Sequence, residues 1–170
     1  MIERPDPSES FAHFQGYVSQ AIGTDLRTAF DLASERVHHF ASTIAPEREG
    51  YRYAEGKWTI NEVVQHLNDT ERILSYRALR FARKDTTELP GFEENDYVPA
   101  ATVGRRRLRD LIAEHDLIRA STLALFASFD DDMLLHSGVA NGKRITVRAL
   151  GWSMAGHVMH HVEILDQRYR

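Results

Sequence analysis

Residues 146–168 read TVRALGWSMAGHVMHHVEILDQR. Val147, Leu150, Met154, His157, His161 and Ile164 recur at alternating steps of three and four, the period of a buried helical stripe. The stretch therefore predicts an amphipathic helix over Thr146–Arg168 that lays this stripe against neighbouring elements. Two positions of the stripe are histidine. Burying an imidazole without a partner costs free energy, so each ring needs a hydrogen bond or a metal ion. His157 and His161 stand four residues apart on one face, with Cβ atoms about 5–6 Å from each other. At that spacing two imidazoles can bind one ion, as in H-E-x-x-H zinc enzymes. Gly156 precedes the pair, and a mid-helix glycine costs about 1 kcal/mol against alanine. Its presence points to a close approach by a neighbouring helix or a ligand.

Three further stretches carry the same period. One runs from Asp25 to Ile44 with Leu26, Phe30, Ala33, Val37, Phe40 and Ile44 on its stripe, capped by Thr24 or Asp25 and followed by Pro46. A second runs from Thr59 to Arg83, where Thr59-Ile60-Asn61-Glu62 has the form of a capping box. A third runs from Val103 to Phe129, with His115 inside its seam. A shorter helix is expected over Phe11–Ala21. Strand signals are weak: Tyr51–Tyr53 and Lys143–Ile145 are candidate short extended pieces near turns at Glu55-Gly56 and Asn141-Gly142. The fold class is thus all-α, a four-helix bundle with long connections and a short N-terminal helix. The links 45–58, 84–102 and 130–145 exceed the usual bundle connection of about 2–8 residues. Links of that length permit crossovers and can form the rim of a site.

A chain of 170 residues is expected to form one domain, residues 1–170, large enough to bury a core without staples. Hydrophobic residues make up 42% and charged residues 27%, which excludes a disordered composition. The net charge is −4, a poor basis for binding nucleic acid, so no nucleic-acid partner is expected. No stretch approaches 18 apolar residues and the start MIERPDPSES lacks an apolar core, so neither a membrane partner nor a signal peptide is expected. Cysteine is absent. Disulfides, thiolate ligands and thiolate nucleophiles are excluded, and a cytoplasmic location is expected.

Nine histidines are present. A third ligand to complement His157 and His161 is offered by His66, which borders the apolar stripe of the Thr59–Arg83 helix. Three neutral imidazoles from two helices would leave positions on an ion for water or substrate, the composition of a catalytic centre. Such a set suits Zn, Ni, Fe or Cu without choosing among them. Hydrogen-bonded core histidines are the alternative reading of the same pattern. His160 lies beside the seam and is expected outside the ligand set. His115 reads as a satisfied core histidine, His38 and His39 as structural, His13 and His136 as surface residues. Only Glu35-Arg36-Val37-His38 has the Glu-x-x-His form, and a di-iron carboxylate bundle needs two. No nucleophile elbow or phosphate-cradling glycine loop occurs.

Residues 51–83 (YRYAEGKWTINEVVQHLNDTERILSYRALRFAR), 89–98 (LPGFEENDYV) and 149–169 (ALGWSMAGHVMHHVEILDQRY) resemble the DinB/YfiT-like superfamily of bacterial four-helix metalloenzymes. The resemblance runs from about residue 24 onward, carried chiefly by the GKWT…H…DTER segment and the GHxxHH ending. It implies a metal held by His66, His157 and His161, with Zn or Ni first and Fe next among divalent transition metals. It also implies a small-molecule substrate, a homodimer, and a metal-dependent S-transferase that uses a low-molecular-weight thiol such as bacillithiol or mycothiol. A chain without cysteine suits an external thiol nucleophile. On that reading Arg72, Arg77 and Arg119 are candidate contacts for the carboxylates of a thiol, and Asp69 is a candidate to orient a ligand imidazole. A hydrolase activating water with the same three ligands, and a non-catalytic, stress-related metal-binding protein, are the alternatives.

Overall fold

A computed structural model describes residues 1–170. The helices are α1 (Ala12–Gln20), α2 (Leu26–Ser42), α3 (Ile60–Ala82), α4 (Glu94–Ala100), α5 (Leu108–Ala127), α6 (Asp131–Leu135) and α7 (Val147–Arg168). Strands β1 (Ser137–Ala140) and β2 (Lys143–Thr146) form one antiparallel hairpin. The four long helices α2, α3, α5 and α7 make the bundle that the hydrophobic period predicts.

Their starts are chemically fixed. Asp25 accepts from Thr28 N to cap α2, and Thr146 accepts from Ala149 N to cap α7. At α3 the capping box closes in both directions: Thr59 Oγ1 accepts from Glu62 N, and Glu62 Oε2 accepts from Thr59 N at 2.7 Å. The third stretch behaves differently from its sequence expectation. Thr102 adopts a left-handed conformation with φ 48°, Val103–Arg105 form a 3-10 turn, and Arg106 is extended. Helix α5 therefore begins at Leu108 rather than Val103.

Two apolar clusters fill the bundle, one at each end. The first unites the starts of α2 and α7, for example Phe30 and Trp152, with the ends of α3 and α5, for example Phe81 and Phe126. The second unites the ends of α2 and α7, for example Phe40 and Leu165, with the starts of α3 and α5, for example Ile60 and Leu111. Helices α2 and α7 thus run one way and α3 and α5 the other. Since α3 has 23 residues, about 34 Å of axis, the link from α3 to α5 must travel back along the bundle. This explains its length, and α4 forms part of that return.

Between the two clusters lies a polar belt. It comprises His66, Asn68, Thr70 and Glu71 of α3, His115, Arg119 and Thr122 of α5, and Ser153 and His157 of α7, all buried. The link after α5 carries the extended piece expected at Lys143–Ile145, as strand β2 of the hairpin. Residues Asn141 and Gly142, with φ 51° and 68°, make the tight turn of the hairpin. Ala140 and Ile145 of the hairpin enter the first apolar cluster. Leu89 N donates to Val139 O, and Asn141 N donates to Leu89 O, which ties the 84–93 loop to the hairpin edge. Tyr51–Tyr53 form no strand.

Candidate metal centre

The belt brings His66 of α3 together with His157 and His161 of α7. His66 is 4% exposed and His157 5%; His161 is half-buried. His157 Nε2 stands 3.0 Å from His66 Nε2 and 3.0 Å from His161 Nε2. One donor nitrogen from each of the three residues fits within 4.8 Å of the others.

This arrangement is hard to satisfy with hydrogen bonds alone. A ring nitrogen carries either one proton or one lone pair, in a single in-plane direction. His157 Nε2 faces two nitrogens and can serve only one of them well. A shared electron-pair acceptor resolves the conflict, because each lone pair then points at the same centre. Nitrogens about 2.0–2.1 Å from one ion stand roughly 3 Å apart, so the two 3.0 Å separations from His157 fit such an acceptor.

Protonation favours the same chemistry. Burial lowers the pKa of His66 to about 4 and that of His161 to about 3. For His157, burial first and the neighbouring imidazoles second hold it well below 6.5. All three rings are neutral at pH 7, with lone pairs available.

The walls come from several elements. The Trp58 ring, immediately before the α3 cap, lies tilted on His66 with centroids 4.9 Å apart. Tyr17 of α1 meets His157 edge-on at 5.1 Å. Helix α1 comes this close because residue 156 is glycine: a Cβ there would lie 1.7 Å from Tyr17 O. The approaching element anticipated from Gly156 is therefore the N-terminal helix. Thr70 Oγ1 is the partner of His66 Nδ1, at 3.5 Å.

A cavity of about 310 Å³ opens beside His66 and His157. Phe11 at the N-cap of α1, Phe14 of α1, Leu74 and Arg77 of α3, Phe92, and Lys143 of β2 are among its walls. The aromatic i, i+3, i+6 stripe Phe11–Phe14–Tyr17 was the sequence signal for this wall; only the helix itself was read from it.

Other singled-out residues fall elsewhere. His160 Nδ1 donates to Gln20 Oε1 at 3.2 Å, outside the trio. His115 is fully buried in the belt, with Nδ1 at 3.2 Å from Asn68 Oδ1. His38 pairs with Asp116. His13 is exposed, as expected, and also lines the cavity, while His136 is half-buried against Ala82 O. Asp69 does not orient a trio imidazole; it accepts from Gln65 Nε2 at 2.9 Å. Arg72 pairs with Glu114 at 2.6 Å and Arg119 with Glu71 at 2.7 Å, so neither guanidinium is free for a ligand.

Residues 29–165 match the sequence family described as the DinB superfamily. The chain belongs to the DinB superfamily. No curated protein sequence matches it. Among solved structures, it is similar to YfiT from Bacillus subtilis, described as a probable metal-dependent hydrolase with an unusual four-helix bundle topology. That likeness has a TM-score of 0.72 at 15% identity, over 98% of this chain and 91% of the other. It is also similar to a mycothiol-dependent maleylpyruvate isomerase, with a TM-score of 0.64 at 14% identity over 92% of this chain and 60% of that one. At these identities the likeness to YfiT and to the isomerase is one of fold. As a DinB-superfamily chain, it has no helix long and apolar enough to cross a membrane.

Proposed function

We propose that this protein is a metal-dependent enzyme that transfers a low-molecular-weight thiol to an electrophile, with His66, His157 and His161 holding a divalent transition metal ion. The observation that carries the reading is the convergence of three neutral Nε2 atoms beside a ligand-sized cavity. A divalent ion in that position supplies Lewis acidity, which lowers the pKa of a bound thiol or water toward neutrality.

The chain's own residues have distinct tasks. The three imidazoles donate lone pairs and carry no net charge. Tyr17 and Trp58 pack against the rings and exclude bulk water from that side. The apolar wall of Phe11, Phe14 and Leu74 holds the electrophile's body near the trio. In the transfer a sulfur–carbon bond forms, a carbon–halogen bond breaks, halide leaves with its electron pair, and the thiol proton passes to solvent. The chain has no cysteine, so the sulfur must come from a cosubstrate.

Hydrolysis is the second reading, supported by the likeness in fold to YfiT and its description. Water is a poorer nucleophile than a thiolate and gains from a general base. None of the three imidazoles bonds a carboxylate, and Glu94, an exposed residue, is the one carboxylate in the cavity wall. This composition favours the thiol.

The test uses full-length protein purified without a histidine tag and loaded in turn with Zn, Ni, Fe or Co. Each form receives bacillithiol, mycothiol, glutathione or coenzyme A with a chlorinated electrophile, and mass spectrometry looks for the thioether. Metal-dependent thioether formation is the expected result. Metal-dependent ester or amide cleavage without conjugation would select the hydrolase, and stoichiometric metal without either reaction would leave a binding protein.

A further inference from the structure

The far end of the cavity carries a charge that the trio does not need. Arg77 is 7% exposed yet forms no ion pair. Its one hydrogen bond runs from Nη2 to Pro90 O at 2.8 Å, and its guanidinium lies 5.9 Å from the Phe92 ring. A guanidinium offers five N–H donors in a fork matched to a planar anion. Burial already disfavours its charged form. The other arginine buried in this fold has a partner: Arg119 holds Glu71 with two hydrogen bonds. Only Arg77 faces an open volume instead of a carboxylate.

The same wall adds a second cation. Lys143 of β2 is exposed and unpaired at the cavity, against one exposed carboxylate, Glu94. The cavity is cationic in a protein whose net charge is −4. Along α3, His66, Thr70, Leu74 and Arg77 line it at i, i+4, i+8 and i+11. Those eleven helical steps span about 16 Å of axis, and a long helical side chain leans back toward the N-terminus, which shortens the gap. The stretch between the two ends is mainly apolar, with Phe14 and Leu74 on its sides and Thr70 nearest the trio.

Resting on the thiol-transfer reading for the chemistry at the other end, we infer that Arg77, assisted by Lys143, binds the carboxylate of the electrophilic substrate. That substrate is an acid whose apolar body separates the carboxylate from the carbon presented to the trio. Pro90 sets the fork: its carbonyl fixes one guanidinium nitrogen, and its loop is tied to the hairpin through Leu89 and Asn141. The other donors have no protein partner, and Arg77 lines the cavity. Arg77 is a specificity-determining residue and takes no part in bond making.

The test measures binding in metal-free full-length protein, where no ion can capture the acid. Calorimetry compares benzoate, 3-phenylpropanoate and 5-phenylpentanoate with their primary amides. The wild type should prefer acid over amide by about 10- to 100-fold for the best chain length, the worth of hydrogen bonds to a charged group. Arg77→Gln should abolish the preference while still binding the amide. Arg77→Lys should keep part of it, and Lys143→Gln, at an exposed position, should reduce it without affecting the melting temperature. Equal binding of acid and amide by the wild type, no binding of either, or an unchanged preference in both Arg77→Gln and Lys143→Gln would overturn the assignment. Acid binding that depends on Arg77 in a protein that conjugates no thiol would retain this subsite and reject the thiol-transfer reading.

Discussion

At the scale of single residues, the histidines separate by what each nitrogen faces. His157 and His161 share the trio with His66, while His160, one residue from His161, turns to Gln20. Replacing His157 or His161 by alanine should abolish stoichiometric metal binding, and His66→Ala should weaken it greatly. His160→Ala should leave metal content at the wild-type level; elemental analysis of each purified variant checks the pattern. His115 is different again. Asn68 Nδ2 donates to Leu111 O, so its Oδ1 accepts and His115 Nδ1 carries the proton. His115 Nε2 then points at nothing. Burial, and next the charge of Arg119, lower its pKa to about 4. The unfolded chain takes up a proton on this ring below about pH 6.5, whereas the folded chain resists until about pH 4. Stability from this group is complete above pH 6.5 and is lost as the pH falls toward 4, by about 3 kcal/mol in all. His115→Asn keeps a donor toward Asn68 and removes the titration. Urea unfolding of chelated protein should therefore show a shallower acid dependence in His115→Asn than in the wild type, and parallel curves would contradict this account.

At the scale of elements, Gly156 decides how closely α1 seats on α7. A methyl group there would overlap Tyr17 O, a backbone atom that cannot swing aside. Gly156→Ala gains about 1 kcal/mol of helix propensity. Overpacking costs about 1–3 kcal/mol, so the variant should shed α1 rather than unfold. Faster hydrogen exchange over residues 12–20, with the melting temperature of the bundle little changed, is the expected outcome. The four long helices were legible because their stripes repeat over many turns and their caps, Thr59 with Glu62 above all, are local in sequence. The seam position of His157 and His161 was legible for the same reason. What lay beyond the sequence depended on distant partners. Tyr17 and Trp58 reach the trio only once α1 and the pre-α3 loop have docked. The freedom of Arg77, against the pairing of Arg72 and Arg119, is set by which carboxylate the fold brings near. The start of α5 moved to Leu108 because the crossover from α3 needs an extended Arg106, whose guanidinium then reaches Gln65 at 2.7 Å.

At the scale of the molecule, the polar belt divides the hydrophobic core in two, and such a division weakens a bundle unless its groups are mutually satisfied. The Arg119–Glu71 pair supplies that satisfaction. Arg119 gives Nε and Nη2 to Glu71 at 2.9 and 2.7 Å, and Nη1 to Phe30 O at 3.0 Å, while stacking 4.4 Å from the Phe30 ring. One side chain thereby joins α5, α3 and α2 at the level where apolar contact is interrupted. The hydrogen bond that joins the fourth helix, α7, to α3 at this level runs between His157 and His66, so the trio is both a candidate metal centre and a seam of the fold. Two consequences can be separated by mutation. Arg119→Met strands the Glu71 carboxylate in the interior and should cost about 3–5 kcal/mol, whereas Arg119→Met with Glu71→Leu should recover most of that loss. Metal loading acts at the other seam. It should raise the melting temperature of the wild type and of the double variant by similar amounts, because ligand binding stabilises only the folded state and His66 and α7 are untouched. Scanning calorimetry of both proteins, with and without metal, checks this. A stabilisation by metal that vanished in the double variant would mean that the two seams are coupled through α3 and that the belt behaves as a single network.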